Sequence, residues 1–110
     1  MSLPILATPI ANKEGIKSII RAEQARLKSF GLKRIGLFGS FVRDQQRTDS
    51  DSDFLVEFEP GQKTFKHFMA ASFFLEELLG RKVELVTRES LSPHIGPHIL
   101  CEIEYVEFAN

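Results

Sequence analysis

The sequence has little of three features that would each point to a particular class of protein. It contains a single cysteine, Cys101, so no disulfide can form within the chain, and we expect a reducing, cytoplasmic location. Its net charge is −1, so it lacks the broad positive charge of a nucleic-acid-binding domain, and nucleic acid is an unfavourable partner. No apolar run approaches the roughly 20 residues that cross a bilayer. The apolar N-terminus also lacks the basic residues of a signal peptide, so we expect no membrane association.

Length and composition indicate one folded domain. The 110 residues fall within the usual size of a single domain, and 43% hydrophobic with 26% charged residues argue against disorder. We expect one domain over residues 1–110, with residues 1–11 as a flexible N-terminal segment.

Hydrophobic periodicity and turn residues predict helices and strands that alternate along the chain. In order, we expect a helix over Asn12–Phe30, a strand over Lys33–Phe38, a helical turn or loop over Ser40–Arg47, a strand over Ser52–Phe58, a helix from the cap Thr64 to Leu79, a strand over Lys82–Thr87, a helix from Ser92 that Gly96-Pro97 interrupts or shortens, and a strand or extended tail over Glu102–Phe108. This order predicts an α+β fold, a mixed sheet with helices packed on it. Glu23 lies in the apolar stripe of the first helix, where we expect a paired or solvent-reaching carboxylate.

Two carboxylates lie at alternate positions of the second predicted strand. Asp51 and Asp53 would share one face of that strand, while Phe54 and Val56 on the other face would anchor it to a core. Two neighbouring anions are costly unless a cation lies between them. Mg²⁺ prefers oxygen ligands and keeps positions open for phosphates. The pair therefore predicts a divalent metal site.

A phosphate-binding turn is predicted just upstream. Gly39 and Ser40 follow a strand and precede a helical turn, so successive backbone N–H groups and the serine hydroxyl can bind phosphate oxygens. Arg43 and Arg47 are four residues apart, and on a helical turn both would reach the same phosphates. The segment predicts a triphosphate site beside the acidic pair.

The spacing of these two elements resembles a known family. Gly39-Ser40, ten residues, then Asp51-Ser52-Asp53 is similar to the signature of the minimal nucleotidyltransferases, which belong to the DNA polymerase β-like superfamily. The resemblance covers roughly residues 15 to 108, and it includes the segments Ile35–Ser40, Phe54–Val56 and Gly80–Thr87, with Arg43 at the position of the family's arginine.

The resemblance implies a small mixed β-sheet flanked by helices and a site for two Mg²⁺ ions and ATP. It assigns Asp51, Asp53 and a third carboxylate to the metals and to catalysis, and it assigns nucleotide binding to Gly39, Ser40, Arg43 and Arg47. Glu84 occupies the position of the third carboxylate, where the family more often has Asp. Glu57 shares the strand parity of Asp51 and Asp53 and is a rival, but we prefer Glu84 because of its place in the motif.

The resemblance also implies a partner. Minimal nucleotidyltransferases of this kind are the antitoxin half of a two-protein module, paired with a HEPN-domain ribonuclease toxin, and their proposed action is transfer of AMP to a tyrosine of that toxin. A hetero-oligomer is then expected. Two alternatives remain open: an antitoxin that acts by binding alone, because Glu84 replaces Asp, and a free-standing transferase for a small molecule.

The helix Thr64–Leu79 is apolar over more of its circumference than a surface helix requires. The surplus indicates either a protein interface or a central helix covered by its neighbours. Its apolar residues are a stripe of Phe65, Phe68, Met69, Leu75 and Leu79, with Phe73 to one side and Phe74 and Leu78 to the other.

Four further residues invite a functional interpretation that we do not favour. His94 and His98 are four apart, but Gly96-Pro97 make a regular helix and hence a metal site unfavourable there. We expect Cys101 to be a small buried hydrophobe. Tyr105, the single tyrosine, is expected to be an ordinary exposed or core residue rather than a self-modification acceptor.

Overall fold

The computed structural model describes residues 13–39, 42 and 51–108. The described helices and strands alternate in the predicted order, and the turn or loop expected over Ser40–Arg47 lies outside the described residues apart from Val42. The elements are α1 (Lys13–Ala22), α2 (Gln24–Ser29), β1 (Leu32–Phe38), β2 (Ser52–Phe58), α3 (Phe65–Leu79), β3 (Val83–Thr87), a single 3-10 turn (Arg88–Ser90), α4 (Gly96–Glu102) and β4 (Glu104–Val106).

The described strands form one mixed sheet in the order β3-β2-β1-β4. The strand β1 pairs antiparallel with both β2 and β4, whereas β2 pairs parallel with β3. A parallel pair needs a crossover connection, and α3 supplies it between β2 and β3. The predicted α+β fold with a small mixed sheet and flanking helices is confirmed.

One face of the sheet is closed by helices. Alternation along the strands sends one set of aliphatic and aromatic side chains toward α1, α2 and α3, and together they form the core. The largest of these side chains are at most 1% exposed, and they include Ile16, Ile20, Leu27, Ile35, Leu37, Phe54, Val56, Leu75 and Leu79. The strand β2 is therefore anchored to the core through one face, as its apolar residues Phe54 and Val56 predict.

The first predicted helix is two helices, which corrects the expectation of a continuous helix to Phe30. At Glu23 the backbone leaves the helical region, with φ −106° and ψ 20°. The Glu23 amide is shared between the carbonyls of Ile19 and Ile20, each 3.1 Å away, which marks a local tightening of the helix. Glu23 therefore lies at a bend. The proposed cap Asn12 lies outside the described residues.

The helix α3 has the predicted ends, and its apolar residues are partly buried and partly exposed. The Thr64 hydroxyl accepts a hydrogen bond from the His67 amide at 3.1 Å, and Gly80 ends the helix in the left-handed region with φ 69°. Five apolar residues of the helix are buried against the sheet, yet Phe65 and Phe73 are 81% and 61% exposed. The helix is thus a core element that also presents apolar side chains outward.

The helix α4 begins later than expected. Ser92-Pro93 starts only a turn, in which the Ser92 hydroxyl accepts from the Ile95 amide at 3.1 Å. The helix itself starts at Gly96 with Pro97 in its first turn. Proline has no N–H and a fixed φ, so it suits the start of a helix; Gly96-Pro97 begins α4 rather than interrupting a helix.

Cys101 is exposed, so the expectation of a buried hydrophobe is wrong. The helix α4 has only seven residues, and it buries Gly96 and Ile99; Cys101, two positions after Ile99, points away from that side. His94 and His98 are also exposed. Among the residues described, no helix is long and apolar enough to cross a membrane.

Candidate active site

The second face of the sheet carries the acidic residues that the sequence singles out. Register pairs Asp53 of β2 with Phe38 of β1 on one side and with Glu84 of β3 on the other. Paired residues of neighbouring strands point to the same face and lie about 4.8 Å apart in the sheet. Asp53 and Glu84 therefore converge on the face opposite the helical core.

The end of β1 approaches the Asp53 carboxylate closely. Gly39 has φ +84°, and a Cβ at this position would collide with the Asp53 side chain. Only glycine allows both the left-handed backbone and this close approach. The Gly39 carbonyl also accepts a hydrogen bond from the Val42 amide at 3.1 Å, so the chain turns immediately after β1. The predicted turn after the strand thus begins directly against one of the two predicted metal ligands.

The structure separates the two candidates for the third carboxylate. Glu57 is on the same face of β2 as Asp53, but its carboxylate accepts a hydrogen bond from Arg34 Nε at 2.8 Å. Burial by itself lowers the pKa of Arg34, but the hydrogen bond and charge of Glu57 outweigh it and raise that pKa. Arg34 also lies 3.8 Å above the Tyr105 ring. Glu57 is therefore part of an Arg34–Tyr105 cluster, whereas Glu84 lies beside Asp53.

Asp51 directly precedes β2 and is exposed. The alternation of β2, continued by one residue, places Asp51 on the face of Asp53. Within residues 13–39, 42 and 51–108, no three Asp, Glu, His or Cys side chains are close enough to enclose a metal ion. Mg²⁺, however, is usually bound by one or two carboxylates together with substrate phosphates and water. The donor chemistry of the paired acids fits such an ion.

Three of the predicted nucleotide-binding residues, Ser40, Arg43 and Arg47, lie outside the described residues, and their roles remain predictions. Gly39 is the described member of that group.

A pocket that the sequence did not predict adjoins the carboxylates. Its volume is about 300 Å³, and its lining joins the sheet to the segment leading into α4. The lining residues are Phe38, Asp53, Glu84, Val86, Ser90, Leu91, Ser92, Ile95 and Ile99. A sequence signal for this side of the pocket was present, because the apolar residues Leu91, Ile95 and Ile99 are four apart. They lie on both sides of the Gly96-Pro97 pair that we expected to interrupt or shorten the helix.

Comparison with known proteins agrees with this architecture. The model of the nucleotidyltransferase domain family matches residues 16–105. The protein adenylyltransferase MntA of Thermococcus cleftensis is 43% identical over 94 residues, which cover 84% of this chain and 94% of that protein.

Solved structures share the fold. One described provisionally as a minimal nucleotidyltransferase has a TM-score of 0.65 and 34% identity, and the match covers 80% of this chain and 93% of that one. A toxin–antitoxin structure with AMP-PNP has a TM-score of 0.63 at 20% identity, with 82% and 74% of the two chains covered. The Shewanella oneidensis complex of a tri-AMPylated HEPN toxin with an MNT antitoxin has a TM-score of 0.59 at 18% identity, with 84% and 73% covered. The last two likenesses show the fold alone.

The family match covers most of the chain, and it includes the two residues that pair on the acidic face, Asp53 and Glu84. The predicted enzyme class is confirmed: the chain belongs to the nucleotidyltransferase domain family and is a relative of the protein adenylyltransferases.

Proposed function

We propose that this protein is a Mg²⁺-dependent protein adenylyltransferase and the antitoxin of a toxin–antitoxin pair. It transfers AMP from ATP to a tyrosine of a HEPN-type ribonuclease toxin and thereby neutralises it. The single observation that supports this most strongly is the position of Asp53, which is flanked by the Gly39 backbone on one side and by Glu84 on the other.

Relatives support the substrate and the partner. The similar MntA protein is a protein adenylyltransferase, and the structures that share the fold include one with AMP-PNP and one with an AMPylated HEPN toxin. A cytoplasmic location agrees with the single cysteine and with ATP as the substrate.

Each residue of the site has a distinct task in this proposal. The turn that begins at Gly39 holds the β- and γ-phosphates through backbone N–H groups, with Ser40, Arg43 and Arg47 as the predicted additional donors. Asp51 and Asp53 would hold both divalent cations, and Glu84 would hold the one nearer the acceptor hydroxyl and take the proton of that hydroxyl. When bound, the cations would neutralise the phosphate charge and lower the pKa of the attacking hydroxyl.

The direct test is transfer of AMP to a HEPN-type protein encoded next to the gene of this protein. The purified pair is incubated with ATP and Mg²⁺, and the intact mass of the toxin is measured; the proposal predicts a gain of one or more AMP units. The double variant Asp51→Asn/Asp53→Asn should give no gain, although its circular dichroism and melting temperature match those of the parent. An unmodified toxin after incubation with the parent protein would count heavily against the proposal.

A second candidate function is neutralisation by binding alone. Two observations favour it: Glu84 stands where the family more often has Asp, and Phe65 and Phe73 are exposed on α3. The helix α3 packs on the core face of the sheet, so a partner held by these two rings is held away from the carboxylates.

A two-by-two design separates the candidates. Neutralisation of the toxin's ribonuclease activity is measured for the Asp51→Asn/Asp53→Asn variant, for a Phe65→Ser/Phe73→Ser variant, and for their combination. Catalysis as the mechanism predicts loss of neutralisation in the first variant. Binding alone predicts full neutralisation in the first variant and loss in the second, whose exposed positions should leave the fold unchanged.

A further inference from the structure

The pocket beside Asp53 and Glu84 is polar at one end and apolar elsewhere. Val86 of β3 forms an apolar wall with Leu91, Ile95 and Ile99, and Phe38 of β1 borders the pocket beside Asp53. Ser90 and Ser92 also line it; the Ser90 hydroxyl donates to the Thr87 carbonyl at 2.8 Å, and the Ser92 hydroxyl accepts from the Ile95 amide at 3.1 Å. A ligand in this pocket therefore meets mostly hydrocarbon along its length and carboxylate at its end.

The pocket lies on the side of the site from which the attacking hydroxyl must approach the α-phosphorus. On the face of the sheet that carries the carboxylates, β2 lies between β1 and β3. Asp53 therefore lies between the turn at Gly39 and Glu84. In the proposed function the departing pyrophosphate is on the Gly39 side. In nucleotidyl transfer the attacking and leaving oxygens lie roughly in line on opposite sides of the phosphorus. The attacking hydroxyl must therefore arrive from the Glu84 side, where most of the residues that line the pocket lie.

The dimensions and chemistry of the pocket select one kind of hydroxyl. A volume of about 300 Å³ is at the small end of ligand sites, which suits one ring rather than an extended ligand. Ile95 is 57% exposed although it is a large aliphatic residue at the pocket, and a ring seated there would cover it. A phenol has an apolar body and a polar tip, whereas the one-carbon stem of a serine would leave the wall uncovered.

We propose that the wall formed by Val86, Leu91, Ile95 and Ile99 is the acceptor site, and that it receives a phenolic side chain whose hydroxyl lies at Glu84. This inference rests on the proposed function. In the reaction the phenolic oxygen forms a bond to the α-phosphorus of ATP, and the bond from that phosphorus to the α–β bridging oxygen breaks. Pyrophosphate leaves with the electron pair, and the phenolic proton passes to the Glu84 carboxylate and then to water. The wall residues position the acceptor and take no part in the bond changes.

Binding can be tested without turnover. The protein is labelled at its methyl groups and titrated with N-acetyltyrosinamide, followed by NMR. We expect saturable shifts of the Leu91, Ile95 and Ile99 methyl signals. N-acetylserinamide at the same concentrations should leave them unmoved. Equal shifts with the serine compound, or no shift up to the solubility limit of the tyrosine compound, would overturn the proposal.

A nucleotide titration tests the rival occupant. The Mg²⁺ complex of a non-hydrolysable ATP analogue should shift the NMR signals of Gly39 and Asp53. The methyl signals of the wall residues should not shift, because the nucleotide does not contact them. If the analogue, and not N-acetyltyrosinamide, shifts the wall methyl groups, the pocket seats the nucleobase and the acceptor assignment is wrong.

Two matched truncations complete the test. Ile95→Ala should weaken binding of N-acetyltyrosinamide about tenfold, the effect of losing a little hydrocarbon from an apolar pocket. Phe73→Ala removes an equally exposed apolar group on the other side of the sheet and should leave that binding unchanged. In AMP transfer to the toxin, Ile95→Ala should raise the KM for the toxin about tenfold with the KM for ATP unchanged.

The two levels of the proposal fail separately. If the parent protein transfers no AMP, the proposed function fails whatever the NMR titration shows. If the parent transfers AMP and Ile95→Ala matches it in both tyrosine-compound binding and toxin KM, the acceptor site is wrong and the function stands.

Discussion

The two faces of the sheet use the same strands for opposite purposes. On one face, Phe54 and Val56 are at most 1% exposed beneath α1, α2 and α3. On the other, Asp53 and Glu84 lie side by side and share a pocket with Ile99 of α4. Leu55 on that face is buried, Asp53 is half-buried, and Glu84 is exposed. The motif Asp51-Ser52-Asp53 alternates between the two environments residue by residue. The difference shows how one rigid strand can hold unfavourable charges: burial of its apolar side offsets the repulsion on its acidic side.

The largest effect should follow from a change to the acidic face. Asp53→Asn keeps the shape of the side chain but removes the charge that would hold the proposed cation. A catalytic metal ion supplies several kcal/mol of transition-state stabilisation, so under the proposed function we expect AMP transfer to fall by about 10³-fold or more. The free energy of unfolding should change by less than about 1 kcal/mol. Initial rates with saturating ATP test the expected loss of AMP transfer, and urea denaturation tests the expected small change in stability. A variant with near-parental rates contradicts the assignment of Asp53.

A change to the core face should have the reverse pattern. Phe54→Ala leaves a cavity at a fully buried position, and such truncations cost about 3–5 kcal/mol in unfolding free energy. The matched change on the other face, Ile95→Ala, should cost less than about 1 kcal/mol because Ile95 is half exposed. Urea midpoints of the two variants give the comparison. Equal losses of stability would mean that the two faces are not distinct in packing.

Gly39 and Gly61 offer a controlled test of the close approach. Both have positive φ, +84° and +79°, but a Cβ on Gly39 meets Asp53 and one on Gly61 meets nothing within 4 Å. Alanine at either position should cost about 1–2 kcal/mol for the left-handed backbone. Only Gly39→Ala should also lower AMP transfer, because it displaces a proposed metal ligand. Assays of stability and activity on both variants decide this, and an active Gly39→Ala enzyme would show that the contact is not needed.

A smaller effect is expected at the edge of the core face. Hydrogen bonds from Lys13 and then Lys17, at 2.9 and 3.0 Å, hold the pKa of Glu104 below its ordinary value of 4.5. A carboxylate with a lowered folded-state pKa stabilises the protein above its ordinary pKa, and this stabilisation is lost as the pH falls through the lowered value. Glu104→Gln should therefore cost about 0.5–1 kcal/mol at neutral pH.

The control for Glu104→Gln is Glu77→Gln, which changes an exposed carboxylate of α3. Urea denaturation of both variants and the parent at neutral and strongly acidic pH gives the comparison. The deficit of Glu104→Gln should disappear in acid, and that of Glu77→Gln should be negligible throughout. A deficit at Glu104 that does not depend on pH would show that the ion pairs are not its cause.

The smallest effect should come from the middle of the acidic motif. The Ser52 hydroxyl is fully buried and has no hydrogen-bond partner within the part of the chain that the structure describes. Ser52→Ala removes a polar group from an apolar site, so stability should stay within about 1 kcal/mol of the parent and tend to rise. AMP transfer should be unchanged. A clear loss of either quantity would show that the hydroxyl has a role that the two-face comparison does not include.

The sequence predicted those features that depend on local pattern. The bounds of β2 followed from alternation over Ser52–Phe58, and the ends of α3 followed from Thr64 and Gly80, because a cap and a left-handed glycine act on their immediate neighbours. The pairing of Asp53 with Glu84 is not local, and here the resemblance to a known family supplied the register.

The features that were missed depend on tertiary contacts. The bend at Glu23 brings both Ile20 and Leu27 into one core, and nothing in the helical stripe reveals it. The outward position of Cys101 depends on how little of the seven-residue α4 is covered. The engagement of Glu57 by Arg34 is a cross-strand contact, so strand parity alone left Glu57 and Glu84 as rivals.

The central claim is that the acidic face carries out nucleotidyl transfer, and one labelling experiment tests it most directly. The protein and the proposed HEPN-type partner are incubated with Mg²⁺ and ATP that is radiolabelled at either the α- or the γ-phosphate. Label from the α position should enter the partner with the parent protein and not with Asp51→Asn/Asp53→Asn, and label from the γ position should not enter with either. Incorporation of the γ label, or equal incorporation of the α label by the double variant, would contradict the account.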